Sequence, residues 1–575
     1  MTSSAVTRVD TDEFLGHPKG LFVCFFTEMW ERFSFYGMKA LLLLYILKYH
    51  LFGDDAGYDL LGAYGGLVYA VPVIGGLLAD RYLGMRKAVL LGGVLLVLGH
   101  IGMAFEGEQA RIVAGEVVRD EGALQVFYLS LALIIMGVGF LKPNISTIVG
   151  RLYPENDPRR DSGFTLFYAG INVGALFASL ICAFLGETYG WSYGFGAAGI
   201  GMLAGLVMFV WGQKYLHGHA EPNDPARLAE RIGPLSREWW IYLGSLGGVA
   251  VVWQLIQRTW TVHGAMHIIA GLLLLWFIWF LWKHCTTVQR QQMITLVLLI
   301  FGVLIFFTLY EQTYGSWVTF TDRLLTKDMF GLSDNGYVPA LPWAVYSLAA
   351  SPPLMIAALT ASDRGRNDIA KGLVVLMAIG LFIAIAHDIV LVRQTAGSLT
   401  FLGAFFIVVL APIFSWLWPW LDRRGLNPSK PAKMGIGLMF AGLAFVPMLL
   451  AAGEAGASGA MASVWWLVLA YFVLELGEMC LSPIGLSAVT QLSVARVVGL
   501  MMGAFWLATA YSEVLAAQFG KLASLEMAEG ATINMAEAAG RYGELFWLMV
   551  WIGIGSGIVF LVLTPLAKRW MHGVK

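Results

Sequence analysis

The chain has 575 residues, of which 58% are hydrophobic and only 13% charged, and its mean hydropathy is +0.71. Soluble domains carry about 25% charged residues, so this composition points to a chain embedded in a membrane. A net charge of −1 and a pI near 6.8 leave no concentrated basic face of the kind a nucleic-acid partner needs, which excludes that class of function.

In chain order, the opening stretch "MTSSAVTRVDTDEFLGHPKG" lacks the apolar core and small-residue cleavage site of a signal peptide, so the first apolar run is expected to be retained. A membrane-crossing helix needs about 20 mostly apolar residues. Runs of that kind begin near Leu21, Leu61, Ala88, Leu124, Phe164, Tyr193, Trp239 and Ala265. Eight more begin near Thr295, Trp343, Ile369, Thr400, Met434, Val464, Val497 and Gly543. The run from Trp343 to Ala361 is short and holds Pro352 and Pro353, which fits either a re-entrant segment or a crossing. The basic stretch that follows, with Arg364, Arg366 and Lys371, favours two extra crossings. Cys24, Cys182, Cys285 and Cys480 are scattered without a CxxC pair or a histidine cluster and read as small hydrophobes.

Loop charge sets the orientation, because Lys and Arg collect on the cytoplasmic side of short loops. Alternate loops carry Arg81, Arg86 and Lys87, then Arg151, Arg159 and Arg160, then Arg423, Arg424, Lys430 and Lys433. The loops between them carry Asp54, Asp55 and Asp59, then Glu106, Glu108, Asp120 and Glu121. Both termini are therefore expected in the cytoplasm. "LLADRYLGMRK" (Leu77 to Lys87) is echoed loosely by "WLDRRGLNPSK" (Trp420 to Lys430), and parallel repeats of this sort build the two halves of major facilitator transporters. The expected organisation is an all-α polytopic membrane protein of 14 to 16 spans. It has a six-helix bundle over 1–212, a linker with two helices over 213–290, and a second six-helix bundle over 291–575 with an inserted helical segment at 340–395.

Four ionisable residues interrupt the apolar runs: Glu28, Glu31 and Arg32 in "FFTEMWERFSFYG", and Lys142 in "GVGFLKPNIS". Charge in hydrocarbon is costly, so such residues face a bundle interior or a water-filled path. The first three are spaced to share one helical face. One pair can neutralise itself, but a carboxylate is left over, which calls for another cation, with Lys142 the obvious one, or for a held proton. A purely structural salt bridge is the alternative. No GxxxxGK[ST] phosphate loop occurs, which disfavours ATP-driven pumping and leaves coupling to an ion gradient.

These residues resemble the proton-dependent oligopeptide transporters of the major facilitator superfamily. The resemblance rests on ExxERF at Glu28 to Phe33, "GGLLADRYLG", "GFLKPNIS", FYxxINxG at Phe167 to Gly174, "YEQ" at Tyr310 to Gln312 and "GEMCLSPIGLSAVTQL" at Gly477 to Leu492, nearly the whole chain in the family's order. It implies a proton-coupled importer of di- and tripeptides, most simply a monomer in a bacterial inner membrane, with the proton as coupling ion and no cofactor or enzymatic activity. Other solutes of the same fold, such as nitrate, a peptide-like drug or an amino-acid derivative, are the alternative.

By the same resemblance, Glu28, Glu31, Arg32, Lys142 and Glu311 handle the proton, although a hydrogen-bonded core carboxyl is the plainer reading of Glu311. Arg32, Lys39 and Lys142 face the peptide carboxylate, with Lys39 standing where relatives often have arginine. Tyr36, Tyr69 and Asn172 contact its backbone. Glu311, Glu478, Ser482 and Trp506 complete the pocket, Glu478 meeting the amino group. Asp322 and Arg323 form an outer gate or else a solvated pair. Two departures stand out. Gly403 and Ala404 occupy the place of a common Asn-Pro, and Glu475, one turn before Glu478, is unusual for the family.

Overall fold

The computed structural model describes residues 12–154, 156–330, 341–481, 485–525 and 533–574. Fourteen helical segments among them are long and apolar enough to cross a membrane: α2 (Asp54–Leu83), α3 (Met85–Met103), α4 (Glu121–Arg151), α5 (Arg160–Tyr189), α6 (Trp191–Leu216), α7 (Arg237–Ile256), α8 (Thr259–His284), α9 (Thr287–Leu324), α10 (Trp343–Asp363), α11 (Asn367–Leu391), α12 (Ser398–Arg423), α13 (Lys430–Ser458), α15 (Ala495–Ala523) and α16 (Met535–Trp570). The other two apolar runs also form helices. In α1 (Lys19–Lys48) the run is interrupted by the charged residues of ExxER and Lys39, and α14 (Trp465–Leu481) spans only 17 residues before a short helix at Gly485–Leu492. Each run read from the sequence thus has its own helix.

Connections are short and locally determined. Gly84, at φ +76°, turns the chain between α2 and α3, and a Cβ there would lie 2.5 Å from the backbone N of Pro222. That turn is tied to the linker. Arg86 pairs with Glu221 (2.5 Å) and the Arg86 N–H donates to the Ala220 carbonyl. Asp120 caps α4 by accepting the Ala123 N–H (3.0 Å), and Thr286 and Gln289 form a capping box at the start of α9, satisfying donors that a helix end otherwise leaves unpaired.

Two hydrophobic cores, one in each half, organise the bundle. The first is built from α1 to α6, the second from α9 and α12 to α16. The linking pair straddles them: α7 packs on α4 and adds Val249, Val252 and Ile256 to the first core, whereas Phe277, Phe280 and Leu281 of α8 belong to the second.

The inserted pair, expected as an insertion at 340–395 within the C-terminal stretch of the chain, packs mainly on the N-terminal core, with Ile385 and Ile389 also against the second. Ala344, Leu348, Met355, Ala358, Leu359 and Ala370 join the N-terminal core. Polar anchors hold them there. Lys19 pairs with Asp363, and the Tyr215 hydroxyl donates to Asp363 (2.6 Å). Chain continuity fixes where the pair is attached, not which apolar face it covers.

The two halves meet at the end of the molecule that carries the acidic loops. Asp54 takes the Arg323 guanidinium in a two-pronged pair (2.6 and 2.7 Å), and Lys48 pairs with Asp322 (2.6 Å). Ser524 donates to Asp55 (2.6 Å) and Thr400 to Ser179 (2.7 Å). At the basic end, among the described residues, no ion pair joins α1–α6 to α9 or α12–α16.

Candidate functional site

Between the halves, below that seal, lies a cavity of about 100 Å³. Tyr36 of α1, Tyr69 of α2 and Asn172 of α5 form one wall. Tyr310, Glu311 and Tyr314 of α9, Gly403 of α12, and Tyr471 and Glu478 of α14 form the other. A break in α9 shapes it. The helix gives way to a tight turn at Glu311–Thr313 before resuming at Ser316, and irregular backbone at membrane depth is tolerated where it lines a cavity. The Tyr36 and Tyr314 rings stack across the cavity at 6.1 Å.

On α1 the ExxER residues do share one face, but the pairing is uneven. The Arg32 fork is taken by both oxygens of Glu31, with Nη2 to Oε1 at 2.6 Å, and Glu28 sits farther off at 3.3 Å. One Glu28 oxygen has no hydrogen-bond partner. Lys142, expected as the counter-cation of this cluster, lies within electrostatic reach of Glu28 and Glu31 without forming an ion pair with either. Its Nζ lies over the Tyr69 ring at 4.3 Å and the Trp506 ring at 5.7 Å, and it makes no ion pair among the described residues. The bidentate match of a planar guanidinium to a carboxylate takes Glu31 first, and a point-charge ammonium is left to aromatic faces.

Lys39 is also not free to meet a ligand. Only 1% exposed, it bridges Glu311 and Glu513 at 2.7 Å each and sits 4.9 Å from the centre of the Tyr314 ring. Glu513, on α15, is the residue that sequence reading missed. It is a lone acid in the run "VGLMMGAFWLATAYSEVLAAQFG", and the reasoning applied to Glu28 would have found it.

Glu475 is fully buried beside Glu478, and neither of its oxygens has a hydrogen-bond partner. One of them lies 3.1 Å from where a Cβ on Gly403 would stand, so the carboxyl occupies room that a larger residue at 403 would take. Asp322 and Arg323 are neighbours in sequence that pair not with each other but each with a residue of the opposite half, as described above. Ser482 lies outside the described residues.

The protein-family model described as the POT family matches residues 86–333 and 392–535. The unmatched stretch between them contains α10 and α11. An uncharacterized transporter of Bacillus subtilis (strain 168), YclF, is 32% identical over 99% of this chain and 98% of its own. A di-/tripeptide transporter of Lactococcus lactis subsp. lactis (strain IL1403) is 30% identical over 98% of each chain. The crystal structure of a peptide transporter POT in complex with sulfate superposes with a TM-score of 0.73 at 30% identity, covering 98% of this chain and 97% of that one. A POT family transporter in complex with 5-aminolevulinic acid does so with a TM-score of 0.71 at 25% identity, covering 97% and 98%. With the family model matching well over half of its length, and a relative 32% identical from end to end, the chain belongs to the POT family.

Proposed function

We propose that this protein is a proton-coupled symporter that imports di- and tripeptides by alternating access, with its basic end and both termini in the cytoplasm of a bacterium. The observation that carries the reading is the polarity of the cavity. Lys142, which makes no ion pair among the described residues, stands behind the lining residue Tyr69 on the N-terminal side, and Glu478 lines the C-terminal side. A peptide carries the complementary charges at its two ends. Tyr36, Tyr69 and Asn172 lie along the wall between them, suited to its backbone.

Glu28, Glu31, Arg32 and Glu311 then move the proton. The buried carboxylates outnumber the cations that neutralise them, and a buried unpaired charge is costly enough that a proton is the natural complement. The Asp54–Arg323 and Lys48–Asp322 pairs act as the outer gate, so the conformation described is closed to the outside. One proton moved inward supplies about 2.3 kcal/mol per 100 mV and about 1.4 kcal/mol per pH unit, enough to concentrate a peptide more than tenfold. Uptake of labelled dialanine into proteoliposomes under an inward proton-motive force tests the assignment. Saturable uptake competed by trialanine but not by alanine is the expected result. If a folded protein shows no saturable dialanine uptake, the peptide assignment fails and only the family's fold stands.

A further inference from the structure

The Lys39 site holds one positive charge against two carboxyls. The ammonium lies 2.7 Å from both Glu311 and Glu513, and the three side chains are only 1%, 7% and 3% exposed. The geometry is built rather than incidental. A Cβ at Gly65 of α2 would stand 2.5 Å from Glu513 Oε2 and 2.6 Å from its carboxyl carbon, so a residue without a side chain leaves the space this carboxyl fills. Among the described residues no second permanent positive charge pairs with the two acids, and Glu478 of α14 and Lys142 of α4 lie near enough to act on the site without an ion pair to it. α1 supplies Lys39. α2 supplies Tyr64, whose hydroxyl has no hydrogen-bond partner, and Tyr69. α9 supplies Glu311 and Tyr314. His263 of α8 approaches from the far side of Gly62, paired with Asp59 at 3.6 Å.

We propose that Glu513 is a proton-binding partner of Glu311: the two acids share one proton over Lys39 whenever the acidic end is closed, and Glu513 thereby sets the pH at which Glu311 exchanges its proton. With both acids ionised the triad carries a net negative charge away from water, which is unfavourable. With one proton it is neutral, and Lys39 keeps an ionised partner whichever acid holds the proton. Lys39 belongs to the N-terminal half and both acids to the C-terminal half, so parting the halves at the acidic end withdraws the cation from the two acids together. They then take up a second proton from the outside, and closure, by bringing Lys39 back between them, releases that second proton towards the basic, cytoplasmic end. Without Glu513, Glu311 has Lys39 to itself, a salt bridge that is neutral with no proton at all.

The transport part of this rests on the peptide-symport reading, whereas the shared proton does not, and two measurements keep them apart. In purified protein, infrared difference spectra between wild type and Glu513→Gln are expected to show the loss of a protonated-carboxyl carbonyl band. Glu311→Gln should lose the same band, because removing either acid leaves Lys39 with one partner. In proteoliposomes, the pH giving half-maximal dialanine uptake is expected to move at least about one unit to the acid side in Glu513→Gln, with Glu513→Asp restoring it. A spectrum in which folded Glu513→Gln and Glu311→Gln both keep the band overturns the proposal, as does a Glu513→Gln uptake profile that superimposes on wild type. Absence of dialanine uptake by the wild type removes the peptide reading instead and leaves the infrared result to decide the shared proton.

Discussion

At position 50 a histidine lies in the turn between α1 and α2, only 1% exposed, with its Nε2 unpartnered and Arg119 donating to its own backbone carbonyl at 2.7 Å. Burial, and then the Arg119 guanidinium, push its pKa down to about 4 from an ordinary 6.5. A histidine held neutral by the fold stabilises it above the unfolded-state value and loses that contribution as pH falls from 6.5 towards 4, by at most about 3 kcal/mol. Melting temperatures at pH 7.5 and pH 5 should therefore differ more in wild type than in His50→Phe, a replacement the surrounding Tyr45, Phe52 and Phe127 rings accept. An equal difference in both proteins would show that His50 is not a source of the acid sensitivity. At this scale the sequence was most informative where the reasoning was electrostatic. Glu28, Glu31, Arg32 and Lys142 were visible as charge in apolar runs, and Glu311 came only through the family resemblance of its YEQ motif. What it could not give was the pairing, because whether Lys39 meets a ligand or two acids depends on α9 and α15 arriving beside α1.

The elements show the same division. Apolar run length placed every long helix, since a chain crossing hydrocarbon must close its backbone hydrogen bonds within the segment. It did not say against which core α10 and α11 pack, because groups that hold them, Lys19 and Tyr215, lie more than a hundred residues away in sequence. The pair is closed on itself by Asp388, which accepts the N–H groups of Trp343 (2.9 Å) and Ala344 (2.8 Å) at the start of α10. The His387 ring stacks on Trp343 at 3.9 Å. Asp388→Ala removes that cap at a cost of about 1–2 kcal/mol. Hydrogen exchange should quicken at residues 343–346 while α1 and α4 stay protected. Unchanged exchange there would mean the cap contributes nothing to holding the pair together.

Across the whole molecule, the two halves touch where acidic loops meet, and the cavity lies beneath. The sequence exposed the halves through their echo and marked Asp322 and Arg323 as gate residues, yet it paired them with each other. In the structure each reaches the opposite half, since side chains adjacent along a helix point in different directions. Arg323 is 7% exposed and also donates to the Tyr542 hydroxyl at 3.0 Å, so Arg323→Ala strands Asp54 at the interface. Removing one member of a buried pair costs about 3–5 kcal/mol. The loss falls on the closed state alone, so the equilibrium should move towards opening at the acidic end. Reaction of a cysteine placed at Thr313 in the cavity with an outside, membrane-impermeant thiol reagent should rise at least about tenfold in Arg323→Ala, with Lys48→Ala, which breaks a half-exposed pair, changing it far less. Equal reactivity in all backgrounds would remove the gate role.

The central claim is that peptide and proton cross together through this cavity. Liposomes containing the protein and a lumenal pH indicator, given dialanine outside with no imposed gradient, test it most directly. The account predicts lumenal acidification that follows dialanine concentration and saturates, and that disappears in Glu311→Gln while exchange of labelled for unlabelled dialanine continues. Dialanine entry without acidification in the wild type, or undiminished acidification in Glu311→Gln, would contradict it.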